Sequence, residues 1–233
     1  DQGDGFAITC SHGAITLPLE ADDAFEALRI ADQRMYAHKH AGRTSAGRQS
    51  KDVLLRALTE HPNLGTHAET VALAAATAET LGLEPEVVEI VRHASELHDI
   101  GKVAIPDAIL GKPGPLTEEE WAFVRRHPVI GERIILAAPA LSRVAALVRA
   151  SHERWDGTGY PDGLAGGEIP AGARVVAVAD AYAAMIGGRP YREARTPDEA
   201  LAELRRGAGT QFDPAVVDAW CAQFERHRLP AAA

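Results

Sequence analysis

The sequence predicts a mainly α fold, a helical bundle preceded by a small N-terminal α/β piece. After residue 50 the apolar residues recur at helical spacing for nearly the whole chain. The chain has 233 residues, 46% of them hydrophobic, which is enough for one large domain or a domain with an appendage. Three capping boxes mark helix starts, at Thr66 with Glu69, Thr117 with Glu120, and Thr196 with Glu199.

The N-terminal part differs from the rest. Residues 6–17 alternate weakly, which predicts a strand or hairpin arm, and Asp22 and Asp23 then open a helix. Its residues 31–39 (Ala-Asp-Gln-Arg-Met-Tyr-Ala-His-Lys), followed by Gly42-Arg43, resemble the C-terminal end of a GGDEF (diguanylate cyclase) domain. The loop that gives such domains their name is absent, so no cyclase activity is expected. The alternative is an unrelated strand and helix packed on the main domain.

Domain boundaries follow from composition. Residues 41–50 are rich in Gly, Ser, Thr and Arg and lack apolar periodicity, as is typical of a linker. We predict a GGDEF-like remnant over residues 1–45, a linker over 46–50 and the helical domain over 51–229.

Within the helical domain, residues 51–60 predict a short helix, and a second helix runs from Thr66 to a stop near Gly82. Pro85 suits the first turn of the third helix and Gly101 its end, and Pro214 begins the last. Residues 174–178 are β-branched enough to suggest a strand. Their continuation is helix-like, so the domain is predicted to be all-α.

Composition also excludes some functions. A net charge of -9 argues against general affinity for DNA or RNA polymers, which depends on a broad basic surface. No apolar run approaches the ~20 residues that span a bilayer and no signal peptide is recognisable, so a soluble, cytoplasmic protein without a membrane segment is expected. Cys10 and Cys221 are too far apart in sequence to suggest a zinc-ligand pair or a disulfide framework.

The stretch from His98 to Lys102 (His-Asp-Ile-Gly-Lys) places two metal-binding groups and a cation in one short turn. It follows an apolar helical stripe, so His98 and Asp99 are expected in the last turn of that helix, facing inward, where a carboxylate needs a cation. Further candidate ligands recur at near-even spacing, which predicts a metal site in a helical core. The full series is His67, His98, Asp99, His127, His152 and Asp180. His12, His61 and His93 lie outside it and are predicted to be surface residues.

These ligand types suit iron, manganese or a similar divalent ion. A carboxylate such as Asp99 can bridge two ions, which together activate water for attack on a bound substrate. Lys102, about one helical turn past the candidate ligands, can neutralise negative charge that develops on that substrate. Asp99 and Lys102 are therefore the predicted catalytic residues.

The order His…His-Asp…Asp resembles the HD superfamily of metal-dependent phosphohydrolases, and longer motifs resemble its HD-GYP branch, which hydrolyses cyclic di-GMP. Those motifs are His98 to Lys102, residues 110–120, His127-Pro128 with Gly131, residues 152–161 (His-Glu-Arg-Trp-Asp-Gly-Thr-Gly-Tyr-Pro) and residues 189–192 (Arg-Pro-Tyr-Arg). The resemblance implies an HD-domain bundle and metal ligation by the series above. It further implies phosphate contacts from Lys102, Arg189 and Arg192, and a ligand-pocket loop at Gly159-Tyr160-Pro161. The Tyr160 ring is a candidate for contact with a guanine, with simple turn packing as the plainer alternative.

Two positions depart from the family pattern: Ser151 stands where the family has a first histidine before His152, and Ala183 stands where it has aspartate. In addition, Asn63 offers no carboxylate for the further ion that some members hold. At most two ions are expected, the second bound more weakly. Two functions follow: a phosphodiesterase that hydrolyses cyclic di-GMP to pGpG, to GMP or to both, or a degenerate module that binds nucleotide or a partner protein with little turnover. A homodimer or a complex with another signalling protein is the candidate assembly.

Overall fold

The computed structural model describes residues 2–3, 6–7, 14–16, 20, 24–59, 68–187 and 194–228, with only the backbone described at 2–3, 6–7, 24–25, 36–48, 59 and 227–228. The contacts divide the chain into two compact units, Asp1–Ser50 and Lys51–Ala233. No helix in the described ranges is long and apolar enough to cross a membrane.

The first unit contains a short hairpin and the larger part of a long helix. Strands β1 (Gln2–Gly3) and β2 (Phe6–Ala7) pair antiparallel, with Gln2 opposite Ala7 and Gly3 opposite Phe6. Helix α1 spans Ala24–Thr59. Its Arg34 donates to the carbonyl of Ala14 at 2.6 Å and pairs with the carboxylate of Glu20 at 2.5 Å. Of the predicted strand over residues 6–17, only Phe6–Ala7 is a strand among the residues described.

Residues 46–50 were expected to form a linker without regular secondary structure, but they are helical, because α1 runs through them without a break. A glycine costs about 1 kcal/mol in a helix and serine or threonine less, so two glycines do not end a helix whose other residues are good helix formers. The predicted short helix over residues 51–60 is the C-terminal part of α1, and its Leu58 is buried in the core. The domain boundaries themselves stay predictions.

The second unit is helical, as predicted. Thr117 and Thr196 each form a complete capping box, and Pro85 and Pro214 occupy helix starts. Thr66 lies outside the described residues. The further helices are α2 (Ala68–Thr80), α3 (Pro85–Leu97), α4 (Asp107–Leu110), α5 (Glu118–Val124), α6 (His127–Leu136), α7 (Ser142–Arg149), α8 (Ala171–Ile186), α9 (Pro197–Gly207) and α10 (Pro214–Arg228), with 3-10 turns at Ile100–Ala104, Pro139–Leu141 and Gly166–Glu168.

The core lies where α3 packs against α2, α7 and α8, and α10 closes it against α2. Trp220 and Leu97 are fully buried there. Residues 174–178, which suggested a strand, belong to α8. Their valines Val175, Val176 and Val178 are fully buried, so burial in the helical core outweighs the modest helix cost of β-branched side chains.

Candidate metal centre

The His-Asp pair lies in the turn between α3 and the 3-10 turn Ile100–Ala104, just beyond the last helical turn in which it was expected. His98 keeps helical backbone angles, so the pair still faces inward. Gly101 does not cap the helix but forms a tight contact. A Cβ there would lie 1.9 Å from the carbonyl oxygen of His127, so only glycine lets this turn lie against the start of α6.

Five members of the predicted ligand series meet at one point, although they come from four places in the sequence. His98 Nε2 lies 3.3 Å from Asp180 Oδ1 and 3.6 Å from Asp99 Oδ1. His127 Nε2 lies 3.8 Å from the same Asp99 oxygen and 2.9 Å from His152 Nε2. One ligand atom from each of Asp99, His127 and His152 lies within 4.8 Å of the others. Asp99 thus stands between two sets of ligands.

The first set, which we call the carboxylate side, consists of His98, Asp99 and Asp180. His98 Nδ1 is bonded to the carbonyl of Ser95 at 3.0 Å, which turns Nε2 toward the two carboxylates. Burial by itself would lower the pKa of His98, but Asp99 and Asp180 raise it to about 9. Burial opposes ionisation of Asp180, yet the hydrogen bond from His98 lowers its pKa well below the usual range.

The second set, which we call the imidazole side, consists of Asp99, His127 and His152. His127 is 1% exposed, and its Nδ1 is bonded to the carbonyl of Val124 at 2.7 Å, so its Nε2 lone pair faces Asp99 and His152. Burial and the neighbouring His152 lower the pKa of His127 to about 3. Burial also lowers the pKa of His152. These imidazoles are therefore neutral near pH 7, the form in which histidine binds metals.

The residues present fit a divalent cation. Asp99 Oδ1 is buried and accepts no hydrogen bond from the described residues. Its other oxygen, Oδ2, accepts a hydrogen bond from the ammonium of Lys102 at 2.6 Å. A buried carboxylate oxygen without a donor is costly unless a cation satisfies it. Separations of 3.6 and 3.8 Å from Asp99 Oδ1 to the two imidazoles are too long for hydrogen bonds. They suit ligand atoms that each lie about 2.0–2.2 Å from a shared ion.

Tyr160 and Ser151 border the imidazole side. The Tyr160 ring stacks on His152 with centroids 5.1 Å apart and an interplanar angle of 4°, and burial raises the pKa of its hydroxyl to about 12. Ser151 is 1% exposed, and its hydroxyl donates to the carbonyl of Val148 at 2.8 Å. The serine oxygen is thus engaged at the end of α7. Ala183, the other departure, is half-buried on α8.

Several predicted positions lie outside the described residues. These are His67, Arg189 and Arg192, together with Asn63, His12, His61 and Cys10. His93 was predicted to be a surface residue but is half-buried on α3, and burial lowers its pKa. Cys221 is buried and free.

Sequence reasoning missed the groups that orient the ligands. The carbonyls of Ser95 and Val124 are each hydrogen-bonded to the Nδ1 atom of the histidine three residues later. Every histidine has a residue three positions before it, so this spacing indicates nothing without the geometry of the turn. Sequence reasoning also assigned no role to Glu153. This carboxylate is buried beside His152 and accepts the backbone N–H groups of Asp162 and Leu164.

A helical bundle whose core brings together imidazoles and carboxylates from several helices defines a class of metal-binding helical proteins. Within that class, this chain belongs to the HD domain family, whose profile matches residues 52–216.

Individual relatives agree with this assignment. The chain is 50% identical over 149 residues to the cyclic di-GMP phosphodiesterase response regulator RpfG of Xanthomonas campestris pv. campestris, covering 63% of this chain and 39% of the relative. It is 40% identical over 157 residues to the 3'3'-cGAMP-specific phosphodiesterase 2 of Vibrio cholerae, covering 66% of this chain and 30% of that relative. The chain therefore spans less than half the length of either relative.

Among solved structures, Bd1817, a HDG"Y"P protein from Bdellovibrio bacteriovorus, superposes with a TM-score of 0.58 at 19% identity, covering 81% of this chain and 64% of that one. At this identity the likeness concerns the fold alone.

Proposed function

We propose that this chain is a metal-dependent phosphodiesterase that hydrolyses cyclic di-GMP to linear pGpG, to GMP, or to both in succession. The observation that carries the proposal is the buried Asp99 Oδ1, which has no donor among the described residues and lies between the imidazoles of His98 and His127. Membership of the HD domain family and 50% identity to a cyclic di-GMP phosphodiesterase support the reaction class and the substrate.

The proposed cofactor is a pair of divalent transition ions, iron or manganese, with Asp99 shared between them. His98 and Asp180 would hold one ion, and His127 and His152 the other, with His67 completing the set. When bound, such ions supply an activated water and neutralise charge on the phosphoryl oxygens. Nitrogen and carboxylate donors without thiolate suit these metals.

The chain's own groups would then position the substrate. Lys102 lies 2.6 Å from Asp99, so its ammonium can reach a phosphoryl oxygen bound beside that carboxylate. Tyr160 presents a largely buried ring next to His152, where it can border a guanine. Arg189 and Arg192 are proposed phosphate contacts on the resemblance alone.

A second function is favoured by one specific observation. Ser151, which replaces a family histidine, is engaged with Val148 and supplies no imidazole to the second ion. Together with Ala183 this favours a degenerate module that binds the nucleotide or a partner protein with little turnover. The two functions differ in turnover and agree in nucleotide binding.

The deciding experiment measures metal content and turnover on the same preparation. Protein loaded with Mn²⁺ or Fe²⁺ is incubated with cyclic di-GMP and, in parallel, with 3'3'-cGAMP, and the products are separated by chromatography. We expect pGpG or GMP from cyclic di-GMP. Tight nucleotide binding without product would support the degenerate module. A faster reaction with 3'3'-cGAMP than with cyclic di-GMP would make 3'3'-cGAMP the preferred substrate instead.

Lys102→Met serves as the internal test of the proposed chemistry. Loss of a cation that acts on the transition state should lower turnover by about 100-fold while metal content stays near that of the parent. Lys112→Met is the matched control, because Lys112 pairs with Glu120 at the same 2.6 Å. Equal turnover in the Lys102 variant and the parent would remove Lys102 from the mechanism.

The remaining assignments concern the whole protein. Residues 1–45 are proposed to be the C-terminal end of a GGDEF-like domain, on the sequence resemblance described above. A cytoplasmic location and a homodimer or a signalling-protein partner stay predictions.

A further inference from the structure

Glu153 is a buried carboxylate that the proposed chemistry does not use. It is 4% exposed and directly follows His152. Its Oε1 accepts the N–H of Asp162 at 2.7 Å and its Oε2 the N–H of Leu164 at 3.0 Å. Both oxygens are thus engaged by the backbone of one loop, residues 160–164, which we call the tyrosine loop.

The tyrosine loop folds back on the residues around Glu153. The N–H of Tyr160 donates to the carbonyl of His152 at 3.2 Å. A Cβ on Gly159 would lie 2.3 Å from the nitrogen of Arg154 and 2.6 Å from the Cα of Glu153, so this contact requires glycine. Glu153 therefore holds the far end of a loop whose near end carries the Tyr160 ring.

His152 differs from the other two histidines of the centre in how it is held. His98 and His127 each bond to a carbonyl through Nδ1. Within the described residues no such bond is found for His152, whose ring instead stacks on Tyr160 and meets His127 edge-on with centroids 4.6 Å apart. Metal-binding histidines generally have their second nitrogen held by an outer partner. For His152, the stacked ring of Tyr160 is the neighbouring group that can restrict the orientation of the imidazole.

We propose that Glu153 is a positioning residue, which holds the tyrosine loop so that the Tyr160 ring fixes the orientation of His152 toward the metal centre. The inference rests on the proposed metal centre but not on which nucleotide is hydrolysed. Its chain of contacts is short and continuous: carboxylate to two loop amides, loop to tyrosine ring, tyrosine ring to histidine ring.

The chain also offers a matched control on the same loop. Asp162 points its carboxylate outward, where Arg149 binds it through Nε and Nη2, both at 2.7 Å. Both side chains are about one-third exposed, so the ion pair lies at the surface, where Arg149 also binds Glu132. Asp162→Asn therefore perturbs the outside of the tyrosine loop without removing its attachment to Glu153.

The experiment titrates apo-protein with Mn²⁺ by calorimetry and records the visible spectrum of the Co²⁺-loaded protein, whose bands report ligand geometry. Glu153→Gln keeps the volume but points an NH₂ group at a loop N–H. We expect its Mn²⁺ affinity to fall by about 10–100-fold, with altered Co²⁺ bands. Tyr160→Leu should reproduce both changes, whereas Tyr160→Phe and Asp162→Asn should retain the parent's affinity and spectrum.

The double variant Glu153→Gln with Tyr160→Leu separates positioning from general stability. If Glu153 acts through Tyr160, the double variant loses no more Mn²⁺ affinity than Tyr160→Leu alone, because residues on one path are not additive. Additive losses, or parent-like affinity in Tyr160→Leu, would overturn the proposal, as would parent protein that binds no Mn²⁺. Parent protein that binds Mn²⁺ but does not hydrolyse cyclic di-GMP would count against the proposed function only.

Discussion

His98 and His127 are held in the same local way and yet face opposite surroundings. Each ring is bonded through Nδ1 to the carbonyl three residues earlier, Ser95 for one and Val124 for the other. His98 then faces the oxygens of Asp99 and Asp180, whereas His127 faces His152 as well as Asp99. Burial lowers the pKa of both rings, but the two carboxylates outweigh it for His98 and raise that pKa to about 9, while the pKa of His127 falls to about 3.

In both histidines the hydrogen bond to a carbonyl three residues earlier sets the direction of the ring, whereas the side chains brought close by the tertiary structure set its charge. The comparison also divides the centre into the carboxylate side and the imidazole side, with Asp99 common to both. The imidazole side is the one on which Ser151 replaces a family histidine, so it is expected to bind its ion more weakly. Four predictions test this division, from the largest expected effect to the smallest.

Asp99→Ala should have the largest effect, because it removes the one carboxylate that both sides share. We expect metal affinity to fall more than about 100-fold on both sides, with loss of turnover. Metal content by mass spectrometry and product formation from cyclic di-GMP check this, with Asp218→Ala on the exposed face of α10 as the control. Hydrolysis by a metal-free Asp99→Ala protein would disprove the mechanism.

Replacing the two histidines separately should break one side at a time. His98→Ala is expected to lose the ion of the carboxylate side and His127→Ala that of the imidazole side, each variant keeping about half of the parent's metal. Turnover should fall in both variants, because the displacement needs both ions. Metal-to-protein ratios measured in parallel check the result. If either replacement empties the centre completely, the two sides form one site.

Gly101→Ala should loosen the contact between the two sides without removing a ligand. The added Cβ would overlap the carbonyl oxygen of His127, so the turn that carries Asp99 must move away from α6. We expect a loss of about 1–3 kcal/mol in the free energy of unfolding, together with weaker metal binding. Denaturant unfolding measures the first effect. Gly167→Ala, where no atom lies within 4 Å of the new Cβ, should change neither quantity.

Ser151→His should have the smallest effect and is the only change expected to improve the centre. If position 151 is a ligand position, the new imidazole raises metal content and speeds hydrolysis a few-fold at limiting metal. Ser151→Ala, which only removes the hydrogen bond to Val148, should cost about 1 kcal/mol of stability and gain no metal. A gain in metal without a gain in rate would point to Ala183, and a gain in neither would remove position 151 from the ligand set.

Residue spacing was sufficient to predict much of the fold. Capping boxes at Thr117 and Thr196 and prolines at positions 85 and 214 mark helix starts in the structure because capping depends on neighbours within one turn. The candidate ligands His98, Asp99, His127, His152 and Asp180 lie close together in the structure, and their role as metal ligands stays a prediction. The strand-like residues 174–178 are helical, in agreement with the all-α prediction, because the core buries their valines. Residues 46–50, expected to be a linker, continue α1 because their composition weakens a helix without ending it.

By itself the sequence determined most of the helices and where they start, since these depend on periodicity and on short-range capping. Only the tertiary structure decided that Asp99 stands between two unlike sets of candidate ligands, because His127 on α6 approaches Asp99 while Asp180 on α8 approaches the neighbouring His98. It also decided that Glu153 binds the tyrosine loop instead of a cation. The physical reason is burial: a buried carboxylate without a partner costs free energy, so its partners must come from the groups that the fold places around it.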